Sequence, residues 1–288
     1  MIRAVMLGRL GNNLFQYALG RVLAEKHGVP LVMDASWFNA AGWSEVKCLR
    51  ELPGPAAGLA RVVRRASIAA RAFRNLGGGH YWQYRGVPML REETPAFDAR
   101  FLDAPADCVL FGYFQTPRYF ESIEPLLRVE LATGGLGLER GREELAESLR
   151  DERAVAVHVR RGDYVGNPLL DLCGVDYYEA SMARLRADIP GARFFIFSDD
   201  PEWCELRLRG EDVRVVPKGV PGQSPLVDLH LMSLARQQII ANSSYSWWAA
   251  WLGKKPGQRV IMPSKWFHGV HAPIEEKRCE GWEGEKLR

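Results

Sequence analysis

No apolar run in the 288 residues approaches the length that crosses a bilayer. The opening MIRAVMLGRLGNN reads as a strand and a turn and lacks the layout of a secretory signal. Both absences lead to the expectation of a cytoplasmic protein. Cysteine is scarce: Cys48, Cys108, Cys173, Cys204 and Cys279 are scattered, odd in number and without paired metal spacing. That pattern argues against a disulfide framework and against a structural zinc, and free thiols imply a reducing compartment. Charge of either sign is not in excess, because a net charge of +3 with a pI near 8.6 is too weak a bias to point to nucleic acid. The chain also has no Asp-x-Asp metal motif beside a strand end, Asp199-Asp200 being the nearest approach. Neither a metal nor any other cofactor is expected.

What is present centres on Val155 to Pro168, VAVHVRRGDYVGNP. A short β-branched run has the composition of a buried parallel strand, and polar chemistry begins where it stops. Arg160 and Arg161 put two permanently charged forks at the edge where open α/β sheets bind ligands, a pattern that asks for an anion and suits a diphosphate. A surface Arg-Asp ion pair is the competing reading.

At this length two domains of similar size are expected. Ile2 to Leu7 reads as a strand, Gly8 to Asn13 as a turn, and Leu14 to Leu23 as a helix that stops at Lys26-His27-Gly28. A strand from Pro30 to Asp34 completes a Rossmann-like opening, although GRLG is not the dinucleotide fingerprint. Arg9 and Asn12 sit where a ligand would meet this turn, with helix capping as the alternative for Asn12. From Ala35 to Ala106 the pattern fades. Trp37, Trp43, Tyr81, Trp82 and Tyr84 there suit either a core or stacking on sugar rings. Arg61 to Arg74 has the pattern of a basic amphipathic helix, which serves as a solvated face or as a peripheral contact with an anionic membrane. Cys108 to Phe114 reads as a strand and Pro117 to Leu127 as a helix. The Gly-rich stretch Ala132 to Gly141 is the linker candidate, dividing the chain into domains 1–135 and 136–288.

Beyond it strands and helices alternate, which indicates a parallel sheet. Strands are expected to end at Val159 and to span 193–197, 213–216, 238–241 and 259–262, with helices starting at Asp176, Pro225 and Ser244. Asp176 and Glu179 have capping-box spacing. Asp200 before Pro201 suits an N-cap and leaves Asp199 the freer carboxylate. Ser243 and Ser244 stand at a helix amino terminus, which attracts phosphate, and the tryptophans behind them suit a core. Asp228, acidic among apolar helix neighbours, needs a partner.

The blocks GRLGNNLFQYALGRVLAEKHG, VHVRRGDYVGNP, FSDDPEW and IIANSSYSWWAAWLG resemble, in order and spacing, those of bacterial α-1,2-fucosyltransferases and their O- and α-1,6-fucosyltransferase relatives. The resemblance runs from about residue 2 to residue 265. It implies an α/β fold of the GT-B type, two facing Rossmann-like domains with the donor GDP-L-fucose held mainly by the carboxyl-terminal half and the acceptor by the other. It also implies an inverting transfer to the 2-hydroxyl of a terminal β-galactoside in a cell-surface glycan such as a lipopolysaccharide O-antigen, with a lipid-linked and a free acceptor both left open. Arg160 and Arg161 are the implied catalytic residues. Arg9, Asn12, His158, Asp163, Asp199, Asp228, Ser243, Ser244 and Tyr245 form the implied donor-binding set, with His158 and Asp228 on the nucleoside. Asn13 and Tyr245 stand where relatives commonly have Gln and Phe. Asp163 suits either a general base or a group that orients the arginines. A nucleotide-sugar-binding protein without turnover, a fucosyltransferase of another linkage, and a glycoside hydrolase using paired carboxylates are the competing readings.

Overall fold

The computed structural model describes residues 1–36, 38, 46–63, 86–220, 222–269 and 273–287. The chain divides into two compact units, Met1–Ala132 and Thr133–Arg288. The aromatic residues Trp37, Trp43, Tyr81, Trp82 and Tyr84 lie outside the described residues.

Unit 1 is built on a parallel sheet of β1 (Ile2–Val5), β2 (Leu31–Asp34), β3 (Ala60–Val63), β4 (Met89–Arg91) and β5 (Cys108–Phe111), in the order β3-β2-β1-β5-β4. Helix α1 (Leu10–His27) returns the chain from β1 to β2 and ends on Gly28, whose φ of 62° is the left-handed cap a side chain would disfavour. The helix begins four residues earlier than its apolar stripe suggests, and Leu10 to Ala24 are buried except Asn12. Its polar members inside are paired: the Glu130 carboxylate accepts from Tyr17 Oη at 2.8 Å and from Arg21 Nε at 3.0 Å. The amphipathic helix expected from Arg61 does not start there. Ala60–Val63 pairs with β2 in parallel, as the β-branched Val62-Val63 favours, and 64–74 lie outside the described residues. The helix expected over 117–127 is broken into two short 3-10 turns before α2 (Glu124–Glu130), which carries Pro125 in its first turn.

Unit 2 contains β6 (Ala154–Val159), β7 (Arg193–Ser198), β8 (Val213–Val215), β9 (Gln237–Ile239), β10 (Arg259–Pro263) and β11 (Trp282–Glu285). Their order is β11-β10-β9-β6-β7-β8, all parallel. Read from β8, this is the Rossmann order, with strand direction of travel reversing between β6 and β9. The helices are α3 (Arg140–Arg150), α4 (Val175–Asp188), α5 (Pro201–Arg207), α6 (Pro225–Leu234) and α7 (Ser244–Leu252). One face of the sheet packs Val155, Val157, Phe194, Ile196 and Ile239 against Tyr178, Met182 and Leu185 of α4. Trp247 and Trp248 are fully buried. The expected capping box fails, because α4 is capped by Gly174 and Asp176 already lies inside its first turn. There its charge still favours the helix dipole. Two Rossmann-like parallel α/β units are the components of the GT-B fold class expected from the sequence.

Candidate active site

A strand-order reversal in a parallel sheet leaves a crevice at the carboxyl ends of the two central strands, because the flanking connections depart to opposite faces. In unit 2 those strands are β6, which delivers His158 and Arg160 to Tyr164, and β9, which delivers Asn242 to Tyr245. The two loops touch: Tyr164 Oη donates to the Asn242 carbonyl at 3.3 Å, and the His158 and Tyr245 rings lie 5.6 Å apart.

Arg160 occupies the centre of this edge. Its Nη1 lies 2.9 Å from Asp199 Oδ2, its Nη2 donates to Asp163, and the guanidinium sits 5.4 Å from the Tyr164 ring centroid. Two carboxylates and an aromatic shelf therefore aim a fork that is 15% exposed, enough for a ligand oxygen to reach it. Asp163 is thus engaged with Arg160, as an orienting group rather than an unencumbered base. Arg161 is turned elsewhere. Its Nε donates to Asp200 Oδ2 at 2.9 Å, its guanidinium stacks 4.0 Å over the Trp203 ring, and its backbone N–H donates to Asp199 Oδ1 at 2.8 Å. Asp200 also caps α5 by accepting from Trp203 N at 3.2 Å, and the Arg161 guanidinium beside it holds its carboxyl below the usual range. Asp199, expected to be the freer carboxylate, instead bridges Arg160 and the Arg161 backbone. Gly162 permits this approach, since a side chain there would stand 2.7 Å from Asp199 Oδ2.

His158 is buried, and desolvation, assisted by Arg160, pushes its imidazole down to about 3. The ring is neutral at any working pH, and its Nδ1 has no hydrogen-bond partner among the described residues. Helix α7 starts at Ser244 from an extended Ser243 (φ −124°, ψ 123°) that makes no side-chain capping bond. Tyr245 Oη donates to the Pro225 carbonyl, which ties this helix start to that of α6. Asp228 lies in the first turn of α6. Its Oδ1, buried, is 3.1 Å from Arg142 Nη1 on α3, while Arg142 Nη2 donates to the Pro217 carbonyl at 3.0 Å. Burial raises the Asp228 carboxyl and Arg142 opposes that rise. Asn242, which sequence reasoning passed over, pins the surrounding loops by donating to the Leu170 and Trp266 carbonyls at 3.0 and 3.2 Å. Tyr164 was inside a quoted block; its aromatic ring beside Arg-Arg-Gly-Asp was the signal.

Arg9 and Asn12 belong to unit 1. Arg9 is exposed and is itself the N-cap residue of α1, without a side-chain capping bond, so Asn12 is not the cap. Asn12 Oδ1 accepts from Gln115 Nε2 at 2.7 Å. Asn13 is buried and donates to the Leu7 carbonyl at 3.0 Å, so it holds the turn together.

The fold is Rossmann-type, and this edge gathers arginine and a helix amino terminus, groups of the kind that attract anions. The model of glycosyl transferase family 11 matches residues 90–286, and the chain belongs to that family. Among curated proteins it is 39% identical over 165 residues to an alpha-1,2-colitosyltransferase of Escherichia coli, a match spanning 54% of this chain and 55% of that relative, about half its length. It is 29% identical over 292 residues to the O-antigen biosynthesis glycosyltransferase WbnK of Escherichia coli, covering 91% and 93% of the two chains. It is 27% identical over 286 residues to the galactoside 2-alpha-L-fucosyltransferase Sec1 of Mus musculus, covering 92% and 69%. Among solved structures, the fucosyltransferase NodZ from Bradyrhizobium is similar at 17% identity and a TM-score of 0.47, over 86% of this chain and 91% of that one.

Proposed function

We propose that this glycosyltransferase moves L-fucose from GDP-L-fucose to the 2-hydroxyl of a terminal β-galactoside, with inversion, in the assembly of a cell-surface glycan such as an O-antigen. The observation that carries the reading is Arg160, oriented by Asp163 and Asp199 at the β6–β9 reversal, on the loop whose Tyr164 bonds the Asn242 carbonyl just ahead of α7. A guanidinium fork and helix N–H groups together suit the β-phosphate of a departing nucleoside diphosphate, where charge develops in the transition state. The bond between the sugar C1 and the β-phosphate oxygen breaks with its electron pair on the phosphate. The acceptor oxygen bonds to C1 from the opposite face and its proton passes to solvent. No residue is assigned as base. Arg161 acts through its backbone and through Asp200, holding the Arg160 loop against the start of α5. His158 and Asp228 fit the nucleoside.

A second donor reading comes from the 39%-identical relative named for colitosyl transfer. GDP-colitose differs from GDP-L-fucose by one missing hydroxyl. Incubation with each donor and lactose, followed by NMR of the product, tests both. An α-1,2-fucosyl product confirms the proposal and preferential use of GDP-colitose moves the donor assignment. GDP binding without product makes the chain a nucleotide-sugar binder, and fucoside hydrolysis without nucleotide makes it a hydrolase.

A further inference from the structure

Unit 1 has a strand-order reversal of its own, between β1 and β5, and the residues following β5 have no part in the function proposed so far. Gly112 to Gln115 turn beside the Gly8 loop that follows β1. Phe114 has a φ of 53°, the one positive value at a non-glycine among the described residues. Its ring is buried, edge-on to Phe101 at 4.9 Å and to Tyr119 at 6.0 Å. A left-handed phenylalanine carries a backbone cost. Glu92 offsets that cost by accepting from the Tyr113 and Phe114 backbone N–H groups at 2.6 and 2.9 Å. With Phe114 turned into the core, Tyr113 is turned out, 44% exposed.

Its ring lies over the Gly8 turn. A side chain at Gly8 would stand 3.2 Å from Tyr113 Cε1 and 2.2 Å from Asn12 Nδ2, and Gly8 avoids both at a φ of 70°. Gln115 is held beside the same turn through its 2.7 Å bond to Asn12. An exposed aromatic face and a side-chain amide are set at a sheet's reversal point by a strained backbone. An aromatic face of this kind takes the C–H edge of a pyranose, and the amide both donates to and accepts from hydroxyls.

We infer that Tyr113, with Gln115 beside it, is a carbohydrate subsite on unit 1, the Tyr113 ring being the stacking platform for a neutral pyranose of the acceptor. The inference rests on the transferase reading above for the ligand's role, and on the geometry for its chemistry. The probe is lactose. Tyr113→Ala raises the lactose KM at least tenfold while the calorimetric Kd for GDP stays within twofold, and Tyr113→Phe, which keeps the ring, stays within threefold of wild type. Should the alanine variant fail to bind GDP through misfolding, Tyr113→Leu, which keeps bulk over Gly8 without an aromatic face, enters the same titrations. An unchanged lactose KM, or a rise confined to the GDP-fucose KM, overturns the inference. If the wild-type protein transfers nothing, the proposed function fails by itself. Saturation-transfer NMR of lactose then decides the subsite: a signal lost in Tyr113→Ala supports it, and an equal signal or none in wild type refutes it.

Discussion

At the scale of single residues, Arg160 and Arg161 are neighbours in sequence and opposites in environment. Arg160 points its fork along the ligand edge between two carboxylates, whereas Arg161 is committed to Asp200 and Trp203. Arg160→Lys replaces a planar fork by a compact ammonium that cannot span two phosphate oxygens. We expect about 2 to 4 kcal/mol of lost transition-state stabilisation, measured as turnover with GDP-fucose and lactose. A lysine variant retaining a third of wild-type turnover contradicts the assignment. His158 makes a separate prediction about acid. Its folded value near 3 lies below the ordinary histidine value near 6.5, with Arg160 lowering it further and Asp199 opposing. Above the ordinary value both folded and unfolded chains carry it neutral and it has no effect. As pH falls below that value the unfolded chain takes a proton the folded chain refuses, and stability is lost by up to about 1.4 kcal/mol per pH unit. His158→Gln should flatten the fall of the urea midpoint between about pH 6.5 and pH 4.5; an identical slope in both proteins would remove His158 as the cause.

At the scale of elements, the strands with abrupt polar ends were legible in the sequence, and so was the edge they form. The run from Ala154 to Val159 is wholly buried and stops at Arg160, so composition alone marks both its extent and its ligand end. What occupies the arginines was not legible. Asp199 and Asp200 come from the end of β7 and meet Arg160 and Arg161 only because β6 and β7 pair in register, Val159 opposite Ser198. Strand β11 was missed because Trp-Glu-Gly-Glu lacks β-branched residues; burial of Trp282 against Trp247 and pairing with β10 override that weak propensity. Helix α6 tests what Asp228 is for. One of its oxygens is buried against Arg142 on α3; the proposed role has the other accept from the N1-H and N2-H2 edge of guanine. Asp228→Asn sets an amide donor against donors, at about 1 to 3 kcal/mol per unsatisfied group. GDP affinity in calorimetry should fall roughly tenfold, with no matching gain for ADP. If the folded variant binds GDP normally and loses only thermal stability, Asp228 is an anchor between α3 and α6.

At the scale of the whole molecule, the charge of the leaving diphosphate has to be met by something. Arginine and the α7 amino terminus are the groups proposed for it, while Asp199 and Asp200 already satisfy guanidinium groups and are poorly disposed to bind a cation. Excess EDTA should therefore leave the initial rate unchanged; a collapse restored by manganese or magnesium would make the Asp199-Asp200 pair a metal site. Among the described residues no helix is long and apolar enough to cross a membrane. The all-parallel pairing of both sheets has a further consequence, in time rather than in chemistry. Ile2 lies opposite Cys108, and Val157 opposite Ile239, so neither central strand can find its second neighbour until a long stretch of chain has been made and folded back. Sheets closed by such distant contacts form slowly and leave unpaired edges open to other chains in the meantime. Yield of the folded protein should accordingly depend more on slow synthesis and on chaperones than on the stability of the finished sheets.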